Sequence, residues 1–128
     1  MKINELRIGN YLYLCGWNVK VVGVSEDGVY VVNDLNTSFK VDITDVRPIT
    51  LTEEFFKKNG FIRQHDWEDV MYYSSEDMRI QVYENYLGWV VNIDNENFTM
   101  VFSSNLKYVH ELQNAYYVST GEEMEIKL

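Results

Sequence analysis

Apolar side chains fall along this chain in short runs separated by turn-forming residues. Tyr11 to Leu14, Val19 to Val24, Val29 to Val32 and Phe39 to Ile43 are rich in Val, Tyr and Leu, which suit a pleated, half-buried surface. Between them lie Cys15-Gly16, Asp27-Gly28, and Asn33-Asp34 with Asn36 close behind. Asp-Gly is a hairpin signal because both central positions of a type I′ turn need positive φ. These spacings predict a small, strongly bent sheet over residues 1–50.

Arg47-Pro48-Ile49 closes this half, since proline disfavours helix in the residue before it and has no N–H to give a sheet. A short helix is predicted directly after it, over Glu53 to Asn59. Thr52 can cap it, Glu53 and Glu54 complement the dipole, and Leu51 and Phe56 occupy the staple positions. Gly60 supplies the left-handed residue after the helix, with Phe61 folding back on Phe56.

Four further strands are predicted at Val70 to Tyr73, Arg79 to Tyr83, Gly88 to Ile93 and Phe98 to Phe102, joined by polar turns. Ile80 and Val82 alternate with Arg79, Gln81 and Tyr83, and Phe98, Met100 and Phe102 alternate with Thr99, Val101 and Ser103, so each strand has one buried face. From Leu106 the period changes. Leu106, Val109, Leu112, Tyr116 and Tyr117 fall on one helical arc, with Asn105 as cap and Gly121 as stop, and Met124 to Leu128 alternate like a final edge strand. The pattern predicts an α+β protein. Residues 1–50 form a small SH3-like β-barrel or sheet, with Arg7-Ile8-Gly9-Asn10-Tyr11 and the Val-rich strand behind it carrying that likeness. Residues 51–128 form an antiparallel meander flanked by two helices, with one core shared by the two parts as the alternative to two separate ones.

Charge separates the halves. Residues 1–50 carry five basic and six acidic side chains, net −1, whereas residues 51–128 carry six basic and 14 acidic, net −8, within a chain total of −9 over 128 residues. An acidic chain is poorly matched to phosphate backbones or anionic lipid, so nucleic acid is an improbable partner and a membrane surface is not expected. A single Cys excludes an internal disulfide framework, no apolar run approaches the length of a membrane helix, and Glu5, Arg7 and Asn10 interrupt any leader-like stretch. A cytoplasmic location is the expectation.

No complete catalytic or metal-binding constellation is present, and no cofactor is expected. His110-Glu111 begins like a zinc-protease helix, but Asn114 stands where the second His is required. Asp94-x-Glu96 lacks the Gly and the distal Glu of a calcium loop and reads as a turn. His65-Asp66-Trp67-Glu68-Asp69 places acids beside a His and a Trp, a run more typical of a solvated loop than of a dyad. Cys15 has no base near it in sequence. His110 and Gln113 fall on or beside the apolar arc and read as polar core pins: a buried amide there must bond backbone or lose stability. Trp67, Tyr72, Tyr83 and Tyr86 belong to a surplus of aromatic residues beyond what so small a core requires, and aromatics are favoured interface anchors.

Three blocks, Glu5 to Leu12 (ELRIGNYL), Arg47 to Phe61 (RPITLTEEFFKKNGF) and Val109 to Glu123 (VHELQNAYYVSTGEE), together resemble a family of small uncharacterised proteins of gut Bacteroidales, their phages and mobile elements. In that family the middle block more often reads Pro-Leu-Thr-Glu-Glu-Trp, so Thr50 and Phe55 are departures that touch packing at most. The resemblance implies a cytoplasmic accessory protein and transfers no catalytic residue. The residues themselves favour a non-enzymatic protein that recognises another protein through aromatic side chains. Three alternatives stand beside it. The first is an acidic decoy of DNA needing Asp66, Glu68, Asp69, Glu76, Asp77, Glu84, Asp94 and Glu96 on one face. The others are an enzyme with His65 or His110 facing a carboxylate in a pocket, and a nucleic-acid surface on the first sheet.

Overall fold

The computed structural model describes residues 1–94 and 100–128, with only the backbone for residues 100–104. The turn at Asp94-x-Glu96 and the alternation of Phe98, Met100 and Phe102 therefore lie outside the described residues and side chains. The protein is α+β, with two antiparallel sheets and two α-helices. The chain divides into two compact units: residues 1–50 with 108–114, and residues 51–107 with 115–128.

In the first unit β1 (Tyr11–Leu14), β2 (Trp17–Ser25), β3 (Gly28–Val32) and β4 (Ser38–Val41) form an open sheet in the order β1-β2-β3-β4. Leu12, Val19, Val21, Val29 and Val31 project from one face into a core completed by Leu6 and Val46. The β1–β2 turn, Cys15-Gly16, has positive φ at both residues, as a two-residue hairpin demands. The β2–β3 hairpin differs from expectation. Its turn residues are Glu26 and Asp27, neither with positive φ, and Gly28 already belongs to β3, opposite Ser25. Gly28 is needed for room, because a Cβ there would lie 2.9 Å from the Val41 carbonyl oxygen.

An extra residue between Val21 and Gly23 bulges β2, which sharpens the twist of the sheet. β4 ends before Ile43 because Asp42 takes over as a cap, accepting from Thr44 N at 3.0 Å and opening a 3-10 turn over Ile43–Asp45. On the other side of β1, Tyr13 and Arg47 exchange backbone hydrogen bonds of 2.9 and 2.8 Å. Residues 108–114 join this unit through a bridge between Thr50 and Tyr108 and a bond from Val109 N to the Ile49 carbonyl.

In the second unit α1 (Glu53–Lys58) starts where Thr52 Oγ1 accepts from Phe55 N at 3.1 Å and ends at Gly60, whose φ is +82°. Phe61 N returns to the Phe56 carbonyl at 3.0 Å, and the Phe56 and Phe61 rings meet edge to face at 5.1 Å. β5 (Ile62–His65), β6 (Met71–Ser74), β7 (Ile80–Asn85), β8 (Gly88–Asp94) and β9 (Met100–Leu106) follow as an uninterrupted meander. Phe56 packs on Trp89 of β8, and Trp89 on Tyr73 of β6.

Three expectations are corrected here. β5 was not foreseen, and Leu106 ends β9 instead of opening the last helix, with Asn105 inside the strand at positive φ. α2 spans Val109–Thr120, and its first turn is closed by Glu111, whose carboxylate accepts from Tyr108 N at 3.0 Å. Residues Met124 to Leu128 form no strand. Among the described residues no strand pairs with them; the Asn59 carboxamide instead donates to the Lys127 carbonyl and accepts from Lys127 N, imitating a single rung of a ladder.

Candidate functional site

An antiparallel meander sends successive turns to alternate ends of its sheet. The β5–β6 and β7–β8 turns thus share one end of the five-stranded sheet, and the β6–β7 turn lies at the other. At the tips of the first two stand Trp67, 90% exposed, and Tyr86, 94% exposed. Val70, Met71 and Leu87 beside them are also open to solvent.

Both turns are ordered from within. Asp66 Oδ1 accepts from Glu68 N at 2.8 Å and Val70 N at 2.9 Å, and Asp66 N and Asp69 N complete backbone bonds across the turn. Asn85 Oδ1 accepts from Leu87 N at 2.8 Å, and Gly88 takes φ +141° with space for no Cβ, since one would lie 2.8 Å from the Leu106 carbonyl oxygen. Two large aromatic side chains are therefore held in solvent by backbone that is already fixed.

Tyr72 and Tyr83 are half-buried and lie within β6 and β7, near the same end but not on the turn tips. Tyr73 pairs with Val82 on the core face, so Tyr72 and Tyr83 project from the opposite face of β6 and β7. Tyr73 itself donates from its hydroxyl to Glu53. That hydrogen bond lowers the Glu53 pKa and raises that of Tyr73.

His110 and Gln113 are each 1% exposed, in the part of α2 that belongs to the first unit. Gln113 Nε2 donates to the Gly9 carbonyl and its Oε1 accepts from Tyr11 N, both at 2.9 Å, so one side chain satisfies two backbone groups at the entry to β1. Asn114 extends the network: its Oδ1 accepts from Asn10 Nδ2 at 2.8 Å and Arg7 Nε at 3.2 Å, and its Nδ2 donates to the Glu5 carbonyl. Sequence reasoning gave no structural role to Asn10, and considered Asn114 as the residue in place of a second zinc-ligating His. The available signal was Asn10 just before the first strand, a position where an amide can close backbone groups.

His110 is the opposite case. Its ring stacks on Tyr108 at 5.9 Å, neither ring nitrogen has a hydrogen-bond partner, and the Glu5 carboxylate stands 3.7 Å from Nε2. Burial pushes its pKa down, against the opposing pull of Glu111 and Glu5.

The remaining candidates are dispersed. His65 Nδ1 lies 3.3 Å from Asp69 Oδ1 in the exposed β5–β6 turn, and Cys15 is exposed. An open depression in the second unit is lined by Asn59, Phe61, Glu76, Tyr116 and Glu125 among others, and neither histidine borders it. Asp66, Glu68, Asp69 and Glu84 belong to the end of the sheet that carries Trp67, while Glu76, Asp77 and Asp94 belong to the other. They form no continuous run, and Glu96 lies outside the described residues. Among the described residues no three His, Cys, Asp or Glu side chains come together as a metal site, and no helix is long and apolar enough to cross a membrane. No family model, curated protein or solved structure matches the chain.

Proposed function

We propose that this chain is a non-enzymatic binding protein, an accessory factor that docks another protein at the Trp67 and Tyr86 end of its five-stranded sheet. The observation that carries the reading is the near-complete exposure of both aromatic side chains on turns that are internally hydrogen-bonded. Exposed Trp and Tyr on a preformed scaffold bury large area on association while losing little side-chain entropy. Tyr72 and Tyr83, on the sheet face near the same end, extend the surface.

The same reading takes the bent four-stranded sheet as SH3-like, the location as cytoplasmic, and the family as the one from Bacteroidales, their phages and mobile elements that the three sequence blocks resemble. Affinity capture from native host lysate, with wild-type and Trp67→Ala/Tyr86→Ala protein compared, tests it. A specific partner lost in the double variant supports docking at this end. Equal capture by both proteins, or a turnover found for the purified chain, overturns it.

A further inference from the structure

The chemistry around the two aromatic tips narrows the partner. Asp66, Glu68 and Asp69 surround Trp67 in its turn, and Glu84 precedes Tyr86 by two residues; all are exposed. Lys107 follows β9 at the same end as the basic counterpart. Asp66 is occupied by backbone donors and Asp69 lies 3.3 Å from His65, which leaves Glu68 and Glu84 as the carboxylates at this end of the sheet. A guanidinium is the group that uses both features, because it stacks on the face of an indole or phenol and bonds a carboxylate with its edge.

Neighbouring strands stand about 4.8 Å apart, so turns separated by two spacings lie about 10 Å from one another, which a chain in the polyproline II conformation covers in about three residues with side chains i and i+3 on the same side. We infer that this end of the sheet binds an arginine-rich segment of another protein, with arginines about three residues apart addressing Trp67 and Tyr86. The inference rests on the docking function proposed above and gives the partner its charge.

The test is fluorescence anisotropy with a labelled peptide carrying Arg at every third position among Gly and Ser. The same peptide with citrulline, which keeps the shape and loses the charge, is the control. The Arg peptide is expected to bind at 50 mM NaCl and to weaken severalfold at 300 mM, as exposed ion pairs are screened. Citrulline is expected to abolish binding. Trp67→Ala and Tyr86→Ala should each weaken binding at least fivefold and the pair Glu68→Gln/Glu84→Gln similarly, while Glu76→Gln, at the opposite end of the sheet, should leave it unchanged.

Equal binding of Arg and citrulline peptides overturns the inference, as does a Glu76→Gln effect matching that of Glu68→Gln/Glu84→Gln, which marks diffuse attraction to an acidic chain. Self-association in sedimentation that Trp67→Ala removes also overturns it, by assigning the surface to a second copy. If the Arg peptide fails to bind while Trp67→Ala/Tyr86→Ala still abolishes partner capture, the basic partner is wrong and the docking surface stands. If these substitutions change neither experiment, both fall. Thermal melts matching wild type show that each variant is folded.

Discussion

Gln113 and His110 sit one helical turn apart in the same buried segment, and burial acts on them in contrary ways. Gln113 has both ends of its amide bonded, so Gln113→Leu strands the Gly9 carbonyl and the Tyr11 N–H. Unpaired buried groups cost about 1–3 kcal/mol each. Urea unfolding of this variant should show a loss of about 2–4 kcal/mol, with the proposed docking at Trp67 untouched. His110 excludes a proton on folding that the unfolded chain takes up near its ordinary pKa of 6.5. The contribution of the neutral ring is therefore complete above that pH and is lost as pH falls through the lower folded value. Stability measured by urea unfolding between pH 7 and 5.5 should decline on acidification, and His110→Gln should flatten that slope whatever it does to stability at pH 7.

At the scale of elements, legibility followed the range of the interactions. α1 was readable because its cap, dipole charges, terminating Gly60 and Phe56–Phe61 contact all lie within about ten residues. Thr52→Ala removes the acceptor for Phe55 N and should cost about 1 kcal/mol in thermal or urea unfolding. β5 and the tail show the limit. Ile62-Arg63-Gln64-His65 has almost no apolar content and half-exposes Ile62, yet it is a strand because β6 supplies a partner. Met124 to Leu128 alternate well and form none, because alternation describes a face and a strand also needs a neighbour. Leu106 was drawn into the helix by its apolar period, and the strand won through its pairing with Trp89. The site divides the same way. Trp67 and Tyr86 could be singled out by type, but their shared end depends on the order of strands, which no local pattern encodes.

For the whole molecule, the uneven charge of the sequence becomes a statement about ends. The acidic side chains of the meander are divided between two turn regions, and one of these also displays the aromatic pair. Because Trp67 and Tyr86 are almost wholly in solvent, Trp67→Ala and Tyr86→Ala should each shift unfolding free energy by no more than about 0.5 kcal/mol. A larger loss in urea unfolding would mean that these side chains hold the fold together, and would leave them unsuited to capturing a partner. Trp89, 3% exposed and packed on Phe56, supplies the contrast: truncating it to Ala should cost about 3–5 kcal/mol.

The amide network of the first unit joins residues 104 positions apart, Gln113 to Gly9. On a ribosome adding roughly 5–20 residues per second, the strands of residues 1–50 emerge several seconds before the segment that closes their backbone groups. During that interval Gly9 and Tyr11 depend on water for their hydrogen bonds. Nascent chains stalled before residue 108 should therefore be far more open to protease around β1 than chains stalled on a C-terminal flexible linker long enough to bring Asn114 out of the exit tunnel.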